Sequence, residues 1–357
     1  VWIMAYTTID DPSAFFQAVT YTGNEQARDI TFTGNSDMQP DWVWAKIRSQ
    51  AYSHRMFDSV RGTGKFLHTD GNDAEGTQNA NVSAFNSNGF SLGNDNGINS
   101  DGDTHVAWNW KAGTSFTNDA SSTSVGTIDS AGSISTDAGF SIMTYTGTGS
   151  NGTVAHGLGA VPKMYIVKKR NATSQWYTYH AGNTAAPETD YLDLESTAAT
   201  SDSAVNWNDT SPTSTTFSLG TNSNVNNSGN TYVAYIFAEK KGYSKFGSYV
   251  GTEDGSGNNG SFVYLGFKPA FLMIKSTSIT TNWVMLDNKR DGFNENNNFL
   301  YANLNNVEND GGYDLDLLSN GFKIRHNLSW INEGALIYMA FAESPFVTST
   351  GVPGTAR

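Results

Sequence analysis

Pro40-Asp41-Trp42-Val43-Trp44-Ala45-Lys46 decides the fold reading because it comes back twice, as Pro162-Lys163-Met164-Tyr165-Ile166-Val167-Lys168 and as Pro269-Ala270-Phe271-Leu272-Met273-Ile274-Lys275. Each copy sets a Lys six positions after a Pro, with β-branched, aromatic and other apolar residues between. Such residues favour a pleated strand. Successive side chains of a strand point to opposite faces, so Trp42, Trp44 and Lys46 share one face and Val43 and Ala45 the other.

Further blocks keep order around this one. Upstream stand Tyr21-Thr22-Gly23, Tyr145-Thr146-Gly147 and Tyr249-Val250-Gly251. Downstream stand Gly89-Phe90-Ser91-Leu92, Thr216-Phe217-Ser218-Leu219 and Gly321-Phe322-Lys323-Ile324. The closing blocks read Thr104-His105-Val106-Ala107-Trp108, Thr231-Tyr232-Val233-Ala234-Tyr235 and Ile337-Tyr338-Met339-Ala340-Phe341, which aligns Ala107, Ala234 and Ala340. Self-similarity at a fixed period is the mark of a repeat architecture. The reading is all-β with little helix: three tandem β-sandwich domains, jelly-roll or lectin-like, at residues 19–112, 139–240 and 241–343. Residues 1–18 read as an N-terminal attachment segment and 344–357 as a C-terminal tail. The Ser/Thr/Gly-rich stretch 113–138 is a linker or a polar edge excursion. Strands are expected at 42–47, 164–168, 231–237, 271–274 and 336–341, and helical periodicity arises only over 11–19. Met4 makes a more natural opening than Val1, so Val1 to Ile3 read as a start-site artefact.

A chain of 357 residues allows two or three domains at roughly 100–200 residues each. Its 21 Lys and Arg against 34 Asp and Glu give a net charge of −13, which repels phosphate backbones and argues against nucleic acid. The absence of Cys removes disulfides, Cys-ligated zinc, iron–sulfur clusters and thiol nucleophiles. No stretch is long and apolar enough for a membrane helix, so membrane insertion is not expected, and no export signal is visible.

The residues that could carry chemistry are few. His54, His68, His105, His156, His180 and His326 show no metal-ligand spacing and read as turn or surface residues. No nucleophile elbow or phosphate-cradling loop is present. Tyr191, Asp193 and Glu195 alternate on one strand face, as the carboxylates of a lectin-like retaining glycosidase would, but Tyr191 stands where a carboxylate is needed. Asp314 and Asp316 show the same alternation near the matching place in the third copy. The 94–103 loop lacks the donor spacing of an EF-hand, and with its counterpart at 224–230 reads as a hairpin turn. Trp108, Trp110, Trp176, Tyr177 and Tyr179 are either core residues or platforms for sugar rings, and Trp108 reads as core. The expectation is therefore no catalytic, metal or cofactor residues and no cofactor.

Met4-Ala5-Tyr6-Thr7-Thr8-Ile9-Asp10-Asp11-Pro12-Ser13, Gly34-Asn35-Ser36-Asp37-Met38-Gln39-Pro40-Asp41-Trp42-Val43-Trp44, Phe57-Asp58-Ser59-Val60-Arg61-Gly62 and Asp103-Thr104-His105-Val106-Ala107-Trp108-Asn109-Trp110-Lys111-Ala112 resemble a family of marine tailed-phage virion structural proteins, found in phages of cyanobacteria and other planktonic bacteria. His156 to Lys168 and the ending Ser344-Pro345-Phe346-Val347 with Gly351-Val352-Pro353 are similar to it too. The resemblance implies a non-enzymatic virion protein assembled in the bacterial cytoplasm. Its role would be a tail-fibre-like appendage contributing to recognition of host surface glycan, or a capsid fibre or decoration protein with a purely structural role. It also implies a homo-oligomer, a trimer by analogy with phage fibres, attached to other virion proteins through the N-terminal segment.

Overall fold

The three Pro-to-Lys stretches are strands, and apolar side chains cover both their faces. A computed structural model of the chain describes residues 6–252, 260–326 and 329–354, apart from the side chains of residues 312, 313 and 329; the reading of Val1 to Ile3 as an artefact lies outside them. The protein is mostly strand, with 44% of residues in strands against 7% in helix, in several antiparallel sheets of which one is nearly closed on itself. All five stretches expected as strands lie in strands.

One pairing scheme occurs three times. The opening strands Phe16–Thr22, Phe140–Thr146 and Ser244–Val250 each pair with the closing strand of their own repeat: Thr104–Trp110, Thr231–Phe237 and Ala335–Pro345. Each closing strand pairs next with its Pro-to-Lys strand, Trp42–Ile47, Met164–Lys169 or Phe267–Ser276. These in turn pair with Arg55–Asp58, Trp176–His180 and Val284–Asp287. Lys46 lies opposite Val106, Lys168 opposite Val233 and Lys275 opposite Ile337. Ala107 and Ala234 therefore match Tyr338, not Ala340. A slip of two residues leaves every side chain on its face, so the face pattern alone does not reveal it.

The repeated Tyr and Gly of the opening block have a mechanical reason. Tyr21, Tyr145 and Tyr249 donate their phenol protons to Ile98, Val225 and Ile331, each in a one-turn helix. The next residue in each helix is a buried Asn, and Asn99, Asn226 and Asn332 accept the N–H groups of Asn24, Thr148 and Thr252 just past the opening strand. A Cβ on Gly23, Gly147 or Gly251 would fall 1.9, 2.4 or 2.1 Å from the backbone of that same turn, so only glycine fits.

Residues 113–138 do not merely link. Strands Thr114–Asn118 and Ser130–Ser135 extend the second repeat's sheet beyond its opening strand. Residues 11–19 hold a 3-10 turn, Pro12–Ala14, and then the first opening strand, so the expected helix is absent there and part of the expected attachment segment is core. Asp11 caps the turn and Pro12 stands at its first position, where proline is tolerated, but the strand pairing from Phe16 ends it after one turn.

The alternation read for 42–47 holds. Val43 and Ala45 pack with Phe90 and Leu92 of the first repeat's second layer, while Trp42 and Trp44 face a core shared by all three repeats. There Trp42 stacks on Tyr235 with ring centres 4.7 Å apart, Phe16 on Phe341 at 5.5 Å, and Phe237 meets Phe246 at 5.6 Å. Rings from all three repeats thus exclude water from one common interior, while the first and second repeats each keep a further core of their own.

Candidate functional site

Each repeat reaches into the next through one position. Trp176 is paired with Lys168, and the same register carried one residue further sets His54 opposite Lys46 and Trp283 opposite Lys275. His54 Nε2 lies 2.9 Å from Tyr301 O, Trp176 Nε1 donates to His68 O at 2.9 Å, and Trp283 Nε1 donates to Asp193 O at 3.0 Å. The first repeat thus holds the third, the second holds the first and the third holds the second. Backbone bonds close the same circuit: the N–H groups of Glu75, Thr200 and Glu308 donate to Arg170, Thr277 and Arg48. Trp44 donates to His54 Nδ1 and Gly182 N to His180 Nδ1, so the Nε2 of each ring carries the proton and donates. Burial keeps both imidazoles neutral, with His180 pushed down to about 4.

Around these bonds, two junctions are ionic and one is neutral. Asp58 binds Arg61, Arg61 binds Glu75, Glu75 binds Arg170 of the second repeat, and Tyr235 donates to Asp58 at 2.7 Å. Asp287, Arg290, Glu308, Arg48 of the first repeat and Trp108 repeat the arrangement, with Trp108 Nε1 2.9 Å from Asp287 Oδ2. Burial alone would raise the Asp287 carboxyl, but the Arg290 guanidinium and its hydrogen bonds outweigh this and hold it below the ordinary range. At the third junction the matching residues are His180, Asn183, Thr200 and Thr277. Met339 stands in place of the Trp108 or Tyr235 donor, and His180 donates instead to the backbone of Tyr338 at 3.1 Å. Sequence reasoning missed this network, although its signal, Asp-x-x-Arg at 58–61 and again at 287–290, was available.

The carboxylates weighed for catalysis belong to the same circuit. Glu195 accepts the Trp176 N–H at 3.0 Å, as Asp70 accepts that of His54 and Asn303 that of Trp283. Its counterparts include a neutral amide, so the position needs an acceptor rather than an acid. Burial raises Glu195 to about 7 and Asp193 to about 6. Tyr191 packs on Tyr177 with ring centres 4.6 Å apart. Asp314 and Asp316 do not hold the matching place; that falls at Tyr301 to Asn303, and Asp316 instead pairs with Arg325.

Other expectations also change. His54, His105, His156 and His180 are buried, not surface residues. Trp108, Trp110, Trp176, Tyr177 and Tyr179 are all buried, so none offers a platform for sugar. The 94–103 loop and its counterpart are not hairpin turns, because each contains the short helix that carries the buried Asn, Asn96–Asn99 or Ser223–Asn226. Among the described residues no group of three His, Asp or Glu is placed to hold a metal, and no helix is long and apolar enough to cross a membrane.

The three repeated lysines lie buried at the junctions. Lys168 donates to Asn72 O and Ser174 O, and Lys275 to Ser276 O, while Lys46 donates to Ile47 O and Gln50 O. Burial lowers each to about 8. Several hollows stay open to solvent: one of about 380 Å³ on the third repeat, beside Lys268, Asn288 and Phe293, and a shallower one of about 330 Å³ on the second repeat, where Thr117, Asn118, Thr144, Tyr145 and Thr231 meet Asp129 and Arg170. The Thr and Asn side chains of the shallower hollow offer donors and acceptors beside the apolar surface of Tyr145 and Ala131. The family model described as Domain of unknown function (DUF7483) matches residues 11–345. No curated protein matches the chain.

Proposed function

The chain belongs to the DUF7483 family, and from that premise we propose that it is a non-enzymatic structural module of a tailed-phage virion, a fibre-like appendage that presents binding loops to host surface glycan. In this reading three β-sandwich domains stand around an approximate threefold axis and close into one block. The observation that carries it is the cyclic order of the junctions, in which every repeat is fastened to both others through hydrogen bonds from buried side chains. Such a block resists shear and holds surface loops in fixed relation, which suits an appendage; its buried titratable groups are taken up in holding it together. The shallow hollow beside Arg170, with its Thr and Asn side chains, is the proposed place of contact.

The threefold order inside one chain supplies what a fibre trimer supplies with three chains, so the unit of assembly is the single chain, and a trimer would be an assembly of such units. The test is binding of fluorescently labelled full-length protein to planktonic bacterial cells with surface glycans intact or periodate-oxidised. Binding that is lost on oxidation supports the reading. Equal binding to both, or none to either, rejects it in favour of a capsid fibre or decoration with no ligand.

A further inference from the structure

The second and third repeats differ at one seam. In the second, the space between the opening strand and strand Gly152–Ala155 is filled by residues 114–135. Ser130–Ser135 pairs with the opening strand from Phe140 to Tyr145, and the N–H groups of Thr127 and Ile128 both donate to Thr153 O. In the third repeat the matching strands, Ser244–Val250 and Phe262–Tyr264, are the two ends of the eight-stranded sheet, and no described strand lies between them. Val263 lies opposite Phe322 as Val154 lies opposite Phe217, so Phe262 occupies the place of Thr153.

The backbone there points into the seam. Ile324 N donates to Ser261 O and Leu265 N to Asn320 O, which turns the groups of Ser261, Val263 and Leu265 inward to the sheet and those of Phe262 and Tyr264 outward. By the same alternation Gly251 N, bound to Gly334 O, leaves Ser248 and Val250 facing the seam from the other side. Among the described residues side chains meet it: Lys245 Nζ donates to Tyr264 O and Ser261 Oγ to Val250 O, the Tyr6 hydroxyl lies 3.1 Å from that of Tyr264, and Glu239 accepts the Phe246 N–H at one end of the edge. The lips are apolar and in water, with Val250 70% exposed and Phe262 and Tyr264 each 47%. A pair of unpaired strand edges invites another chain.

Charge narrows the occupant. On a chain of net −13 the seam gathers three lysines against one carboxylate, Glu239: Lys245 lies over the Tyr264 ring at 5.4 Å, Lys241 over the Tyr6 ring at 4.5 Å, and Lys323 opposite Phe262. The segment that fills the equivalent seam carries Asp119 and Asp129 and no Lys or Arg. We propose that the seam between Ser244–Val250 and Phe262–Tyr264 takes an extended acidic segment of a partner polypeptide as an added strand. Main-chain bonds to Ser248 and Phe262 hold it, and the lysines select its charge.

This goes beyond the glycan reading and does not rest on it, since cells and peptide are separate probes. Strand addition draws its affinity from the backbone and tolerates sequence, so the probe is a labelled synthetic peptide of residues 114–135, titrated against the full chain in fluorescence polarisation. The expected result is saturable binding that weakens at least tenfold in Ser248→Pro, which removes one edge N–H, and in Phe262→Ala, which trims an exposed lip. Melting curves check that both variants fold; Phe262→Ala carries the test if Ser248→Pro does not. The proposal is overturned if the peptide does not bind, if neither folded variant weakens it, or if polygalacturonate binds in a Phe262-dependent way while the peptide does not.

Discussion

The junction between the first and second repeats and the junction between the second and third share one geometry and opposite chemistry. Both have a backbone bond at the same place, Glu75 N–H to Arg170 O in one and Thr200 N–H to Thr277 O in the other. Around it the first buries Asp58, Arg61 and Glu75 with Arg170, and the second has His180, Asn183, Thr200 and Thr277. All four positions differ together. Removing one member of a buried ion pair strands its partner at a cost of about 3–5 kcal/mol, whereas replacing the whole set is often neutral. The comparison teaches that closure belongs to the backbone and the rings, and that the charged set is one of two solutions for filling the space around them.

Breaking the ionic set one residue at a time should have the largest effect. Arg61→Met or Arg290→Met leaves Asp58 or Asp287 without its cation and should cost about 3–5 kcal/mol in denaturant unfolding, against about 1 kcal/mol for Asn183→Ala at the neutral junction. Converting the ionic junction to the neutral set, with Asp58→His, Arg61→Asn, Glu75→Thr and Arg170→Thr together, should cost less than Arg61→Asn alone. Equal or greater loss would show that the two sets are not interchangeable.

The pH responses sharpen the contrast. Asp287 has a depressed folded pKa, so its stabilisation is present above the unfolded value near 4 and is lost only as pH falls through the folded one. Glu195, beside the neutral junction, is raised to about 7, so its contribution is full below about 4 and is lost as pH rises through 7. Glu195→Gln mimics the protonated acid, and its stability relative to the unaltered protein should rise between pH 5 and pH 8 in parallel melts. A flat difference would contradict the burial of this carboxyl. The smallest effect is expected at Arg325, whose own side chain is exposed although its partner Asp316 is not, where Arg325→Ala should cost about 1 kcal/mol.

Much of the fold is legible in the sequence, for a physical reason. Strand side chains alternate, so Trp42, Trp44 and Lys46 declare a common face, and repetition of the Pro-to-Lys block declares the copies. The pattern says that a face is buried without saying against what. Trp108 and Trp110 were legible as apolar but not as the meeting point of three repeats, because that contact joins residues far apart in the chain. Ala340 was misaligned because a two-residue slip preserves its face. Tyr177 and Tyr179 resemble a sugar platform in sequence because a ring that stacks on a ligand and a ring that stacks in a core have the same composition. The Asp193 and Glu195 alternation suggested chemistry because an acceptor required by the fold and an acid required by a reaction are the same residue type. The Asp-x-x-Arg repeat was the readable trace of the junctions.

The central claim is that the three repeats close on one another, and small-angle scattering of the monomeric full chain tests it most directly. A closed block of this length should give a radius of gyration of about 21 Å, and a linear row of three separate domains one above about 30 Å. A value near 21 Å is what closure predicts; a value near 30 Å, with the scattering profile of an extended particle, would contradict it.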